Sequence, residues 1–211
     1  MKKIIFATGN QGKLREIRAI LNDADVEVLS MKEAGFDGDI EENGTTFEEN
    51  ALIKARTIAE KTGLPTLADD SGLEIDYLNG EPGIYSARYL GEDTPHSVKN
   101  PNLISRLEGV PDEKRTARFV CAVAAVFPDN SEKPDGTQNR GSIEKCVRAT
   151  MEGRIAYEEA GENGFGYDPI FYLPEYGCTN AQLTPEQKNA ISHRGKALRA
   201  MYETLKTSGL I

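Results

Sequence analysis

The chain has 211 residues, with 25 Lys and Arg against 34 Asp and Glu and a formal charge of −9. It is 38% hydrophobic and 28% charged, the composition of a globular protein, and a chain of this length buries roughly 70% of its unfolded surface, enough for one core without staples. The acidic balance speaks against a nucleic-acid polymer or an anionic membrane as partner, since both favour excess Lys and Arg, but it leaves room for a small phosphorylated ligand.

Lys2 to Thr8 reads as a buried strand, and Leu14, Ile17 and Leu21 line one face of the helix that follows. Val26 to Leu29 is a short second strand, and Asp37 to Asn43 is an acidic loop. Thr45 with Glu48, or Thr46 with Glu49, offers a capping box for a helix whose apolar stripe is Phe47, Ala51, Ala55, Ile58 and Ala59, and Gly63 and Pro65 stop it. Thr66 to Ala68 reads as a third strand ending at Asp69-Asp70-Ser71-Gly72. Leu73, Ile75 and Tyr77 alternate as in a further strand that turns at Asn79-Gly80.

Glu81 to His96 is loop-like, His96 is expected to be exposed, and Pro101 suits a first helical position. Arg115 to Phe127 is a strand candidate buried on both faces; its apolar run of nine residues from Phe119 is too short for a spanning helix, which needs about 20. Pro128 to Gly141 is polar, and strand-like pieces follow at Ile143 to Thr150 and Arg154 to Tyr157. After the glycine-rich loop Gly161 to Asp168 come a short strand, Pro169 to Leu173, and a final helix opened by Thr184, Pro185 and Gln187 with Ile191, Leu198, Met201 and Leu205 on its buried face. The expectation is one mixed α/β domain spanning 1–211. Three widely spaced cysteines without a CxxC pair and no leader-like opening suit the cytoplasm. With only His96 and His193 as histidines, any metal should be a hard cation on carboxylates.

Four segments have residues suited to chemistry. Thr8-Gly9-Asn10-Gln11-Gly12-Lys13 joins a strand to a helix, a place where backbone N–H groups and a lysine can hold phosphate or where a tight turn simply exposes the lysine, and it is not a Walker A loop. Glu41 and Glu42 in the acidic loop and Asp69 and Asp70 at a strand end are carboxylates that suit Mg²⁺ or, taken alone, a solvated loop and a capped turn; Asp69 and Asp70 should face opposite ways, because side chains alternate along a strand. Asn163 to Pro169 sets Phe165 and Tyr167 among glycines, which suits stacking on a planar ligand or plugging a core. Ser192-His193-Arg194-Gly195 interrupts a helical pattern, with side chains that suit a base or phosphate or simply an exposed kink.

In chain order, Phe6-Ala7-Thr8-Gly9-Asn10 with Gly12-Lys13 and Glu16, Phe47 with Glu49-Asn50-Ala51, Ala68 to Leu73, Pro82 to Tyr89, Gly164 to Phe171, and Ile191 to Gly195 together resemble the non-standard purine nucleoside triphosphate pyrophosphatases. The resemblance spans nearly the whole chain, and six such segments in order are very specific. It implies a mixed α/β sheet with flanking helices in two lobes around a substrate cleft, usually a homodimer, and hydrolysis of ITP, dITP and XTP between the α- and β-phosphates. It also implies that Thr8, Gly9, Asn10, Gln11, Gly12 and Lys13 contact the triphosphate and that Glu41 and Asp70 hold Mg²⁺, Asp70 also serving as base. By the same resemblance Ser71, Phe165, Gly166, Tyr167, Asp168, Lys188, His193 and Arg194 line the substrate site. Departures are the Thr94 to Pro101 segment, Cys178 where Lys is common, and a long Asp129 to Gly141 loop. The rival readings are a septum-formation-inhibitor-like pyrophosphatase of pyrimidine or modified nucleotides and a non-catalytic nucleotide sensor.

Overall fold

A computed structural model of the chain describes residues 2–9, 11–22, 25–38, 40–129 and 141–211, without the Gln11 and Glu16 side chains. The expectations on Asn10, on the side chains of Gln11 and Glu16, and on the 130–140 part of the polar loop lie outside the described residues. The elements are β1 (Lys2–Phe6), α1 (Gln11–Ile20), β2 (Val26–Ser30), α2 (Phe47–Thr62), β3 (Thr66–Ile75), α3 (His96–Arg106), β4 (Thr116–Pro128), β5 (Ser142–Ile155), β6 (Phe171–Leu173), β7 (Cys178–Thr179), α4 (Pro185–Ile191) and α5 (His193–Thr207). Seven strands make one sheet in the order β2-β1-β3-β4-β5-β6-β7. It is mixed, as expected: β1 pairs parallel with β2 and β3, and β6 pairs antiparallel with β5 and β7.

The chain forms two compact units, Met1–Asp70 with Ala122–Arg148 and Ala197–Ile211, and Ser71–Cys121 with Ala149–Lys196. In the first unit Ile4, Ile5 and Phe6 of β1, Leu14, Ile17 and Leu21 beside α1, and Leu198, Met201 and Leu205 of α5 are buried. The expected stripe of α2 is buried throughout. That helix starts at Thr46, whose hydroxyl accepts the Glu49 N–H at 3.1 Å, and ends at Gly63, whose N–H reaches the Ala59 carbonyl at 2.8 Å. In the second unit Leu73, Ile75, Leu103, Leu107, Phe119, Met151, Ile170 and Phe171 form the core. Arg115 is buried there too, satisfied by the carbonyls of Leu107, Ile155 and Ala156 at 2.7–2.8 Å.

Several expected boundaries move. β3 runs unbroken from Thr66 to Ile75, so the Asp69–Gly72 segment lies within a strand, and Tyr77 falls in a 3₁₀ turn. The polar run does not break β3 because Asp69 and Asp70 each find cationic partners. β5 joins the two expected pieces into 14 residues. α3 begins at His96, leaving Pro101 inside the helix at the loss of one backbone donor. His96 is half-buried rather than exposed, its ring edge-on to Tyr167 at 4.9 Å. The single final helix is two: Ser192 ends α4, its N–H reaching the Lys188 carbonyl at 2.9 Å, and its hydroxyl accepts the Gly195 N–H at 3.0 Å to cap α5.

Candidate functional site

In the first unit β1 delivers the chain to α1 through Ala7, Thr8 and Gly9, and Ala7 N–H is held by the Leu67 carbonyl at 2.7 Å. The first turn of α1 contains no acidic residue, so its positive end is not neutralised by its own side chains. Lys13 in that turn pairs with the buried Asp69 at 2.8 Å. Asp70 instead meets α2: Asn50 Nδ2 donates to it at 3.2 Å and Lys54 Nζ lies 3.5 Å away. The alternation expected of neighbouring strand residues therefore separates the two aspartates, Asp69 to Lys13 and Asp70 to α2.

Lys54 also lies 3.3 Å from Glu42, so Asp70 and Glu42 share one ammonium. Glu41 is exposed, and it is Glu42 that reaches this cluster. The acidic loop is fixed by Asn50, fully buried, whose Oδ1 accepts the Gly44 N–H at 2.9 Å. Gly44 has to be glycine for space, because a Cβ there would lie 2.6 Å from Asn50 Oδ1 and 2.8 Å from Glu49 Cβ. Burial raises the Asp70 carboxyl above its ordinary pKa; Glu42 and Asp69 push the same way, against Lys54 and the Asn50 hydrogen bond. Among the described residues no three His, Cys, Asp or Glu side chains gather as a metal cage. Two oxygen ligands nonetheless fit Mg²⁺, which keeps waters and completes its shell with substrate phosphates.

In the second unit Asp168 organises the glycine-rich loop. Its buried carboxylate accepts from Phe165 N at 2.8 Å, Asn180 Nδ2 at 2.6 Å and Lys188 Nζ at 2.6 Å. Gly164 has φ +83°, and a Cβ there would run into Asp168 Oδ2, so glycine is required on both counts. Phe165 is 60% exposed, with the Lys188 ammonium 4.7 Å from its ring centre. Tyr167 is core instead: its hydroxyl donates to the Ser86 carbonyl at 2.7 Å, and burial raises its pKa. Gly166 presents its carbonyl to Asn100 Nδ2 at 3.3 Å. His193 stacks on Phe119 at 5.0 Å, and Arg194 beside it is buried, so the Ser192–Gly195 segment is not an exposed kink. Ser71 is half-buried on β3. Lys54, Asn100 and Asn180 are participants that motif reading passes over, and Asn50 falls within a motif that gives it no role.

The sequence profile of the Ham1 family matches residues 4–204. The chain belongs to the Ham1 family. A relative from Vibrio parahaemolyticus named "dITP/XTP pyrophosphatase" is 49% identical over 205 residues, 97% of each chain. The solved Ham1 protein from Coxiella burnetii matches with a TM-score of 0.86 at 42% identity, covering 98% of this chain and 100% of its own. A solved "Nucleoside-triphosphatase / dITP/XTP pyrophosphatase" from Mycobacterium abscessus matches at 0.73 and 42% identity, over 94% and 98%. The match to the Ham1 profile therefore takes in both compact units of the chain.

Proposed function

We infer that this protein hydrolyses the non-canonical purine nucleoside triphosphates dITP, XTP and ITP to the nucleoside monophosphate and pyrophosphate. The observation that supports this most is Asp70, a strand carboxylate sharing one cation with Glu42, in a chain 49% identical to a dITP/XTP pyrophosphatase. We assign the phosphates to Thr8 through Lys13, where the positive end of α1 and the Lys13 ammonium neutralise charge. Asp70, with the acidic pair Glu41 and Glu42, would hold Mg²⁺. When bound, the metal neutralises phosphate charge and makes water more acidic. The Asn50 amide holds the Asp70 carboxylate in place, and a carboxylate so positioned suits taking the proton of the attacking water.

We assign the base to Phe165, Gly166 and Asp168, with Lys188, His193, Arg194 and Ser71, while Tyr167 supports this loop from the core. The exposed Phe165 ring offers a face for a purine, and its orientation is fixed by the backbone N–H that Asp168 holds. Hypoxanthine and xanthine present an acceptor at position 6 where adenine presents a donor. A donor such as the Arg194 guanidinium accepts the first pair and is stranded against adenine. A homodimer in the cytoplasm is the remaining part of this reading. It rests on the resemblance and on Cys121, Cys146 and Cys178, none of which forms a disulfide.

The test is pyrophosphate against orthophosphate release from ITP, XTP, dITP, GTP, ATP and UTP, with Mg²⁺ and with EDTA. Metal-dependent pyrophosphate from the first three, with little from ATP, is expected. Preference for UTP would move the protein to the rival pyrophosphatase group, and silence with intact ITP binding would make it a sensor.

A further inference from the structure

The lysines facing carboxylates in these clusters are not alike. Lys13 holds Asp69 at 2.8 Å and Lys188 holds Asp168 at 2.6 Å, both the short contacts of dedicated charge-assisted bonds. Lys54 is shared at 3.3 and 3.5 Å between Glu42 and Asp70, longer than either. It stands one helical turn after Asn50 on α2, which explains how both side chains reach Asp70. An ammonium held loosely between two carboxylates, on a flexible four-carbon stem, occupies the position of a bridging cation and is easily displaced.

We propose that Lys54 is a stand-in for the metal, neutralising Glu42 and Asp70 in the metal-free protein and withdrawing when a divalent cation takes those oxygens. This rests on the reading that Asp70 and Glu42 hold the metal. The cluster is short of positive charge without Lys54, and it holds one cation too many once a dication arrives beside the ammonium. Lys54 then yields first, because its bonds are the weakest in the cluster. Lys54 thus competes with the metal for Asp70 and Glu42 and neutralises them in its absence.

Two measurements without turnover test this. In wild-type protein, Lys54 acylation by an amine-reactive ester is followed by mass spectrometry with and without Mn²⁺, normalised to the exposed Lys114. Mn²⁺ should raise Lys54 labelling several-fold, and Asp70→Asn should remove that response. Separately, Mn²⁺ binding is titrated by electron paramagnetic resonance. Two part-exposed ion pairs lost in Lys54→Met should tighten the site about five- to tenfold. Mn²⁺ binding that depends on Asp70 while Lys54 labelling stays constant or slows would overturn the stand-in role and leave the metal reading intact. So would a folded Lys54→Met that binds no more tightly. Binding unaffected by Asp70→Asn, or no binding in either form, would remove the metal reading and this proposal with it.

Discussion

Replacing Asn50 by alanine separates the scaffold from the chemistry of the Asp70 cluster. Asn50 is fully buried and makes two bonds, accepting from Gly44 N at 2.9 Å and donating to Asp70 at 3.2 Å. Asn50→Ala strands the Gly44 N–H and takes a donor from a carboxylate, a loss of about 2–3 kcal/mol. For a chain of this size that lowers Tm by about 4–12 °C. The same change raises the Asp70 carboxyl further, because the Asn50 bond opposes the upward push of burial. The acid limb of kcat/KM with ITP should therefore move to higher pH. Asp70 binds its proton more tightly when folded than when unfolded, so its ionisation weighs against the folded state above the folded pKa. That penalty is relieved as pH falls from the folded value toward the ordinary 3.8. In metal-free protein the melting gap between Asn50→Ala and wild type should therefore narrow on acidification, read by calorimetry across a pH series. Asn50→Asp keeps the acceptor for Gly44 but sets a second carboxylate against Asp70, and should move the acid limb further still. An Asn50→Ala protein with wild-type Tm and an unmoved acid limb would refute the reasoning.

Phe165→Ala should leave Tm within a degree or two, because the ring is 60% exposed. It should raise KM for ITP by about 5- to 150-fold with a smaller change in kcat, the worth of one aromatic stacking partner at about 1–3 kcal/mol. Asp168→Asn should do the opposite, destabilising by about 3 kcal/mol by stranding the Lys188 ammonium, which thermal melts would read directly. Glu42→Gln should weaken Mg²⁺ dependence in initial rates more than Glu41→Gln, because Glu42 shares the Lys54 cation with Asp70; equal losses would make the loop carboxylates interchangeable ligands.

The elements most legible in the sequence are those whose local signals agree. α2 has an apolar stripe, a threonine cap and a glycine stop, and all three hold. β4 is a continuous apolar run and is buried through its middle. Boundaries fail where a polar residue has a distant partner. Asp69 to Gly72 reads as a strand end because two aspartates look exposed, but Lys13 lies 56 residues away in sequence and Lys54 16 away, distances over which local patterning is blind. Ser192 to Gly195 reads as an interruption within one helix, yet the Ser192 hydroxyl caps α5 and divides the segment in two.

The site divides in the same way. Asp168 is legible because its loop is contiguous: the glycine at 164 and the N–H at 165 that it needs are its own neighbours. Asp70 is legible only as half of a pair, and alternation along β3 tells that the two aspartates differ without telling which one meets α2. Asn50 and Lys54 read as the polar edge of an amphipathic helix, and nothing local separates an edge residue in solvent from one against a strand carboxylate. Glu41 and Glu42 are still harder, because an irregular loop has no period to assign a face. The loop's conformation is set from outside, by Asn50 gripping Gly44 across six residues. A contiguous loop such as Asn163 to Asp168 thus reads as a motif, because the groups that Asp168 bonds include its own neighbours. Residues that hold such motifs in place are fixed only by the fold, and they become visible when the polar groups of one element are traced to their partners on another.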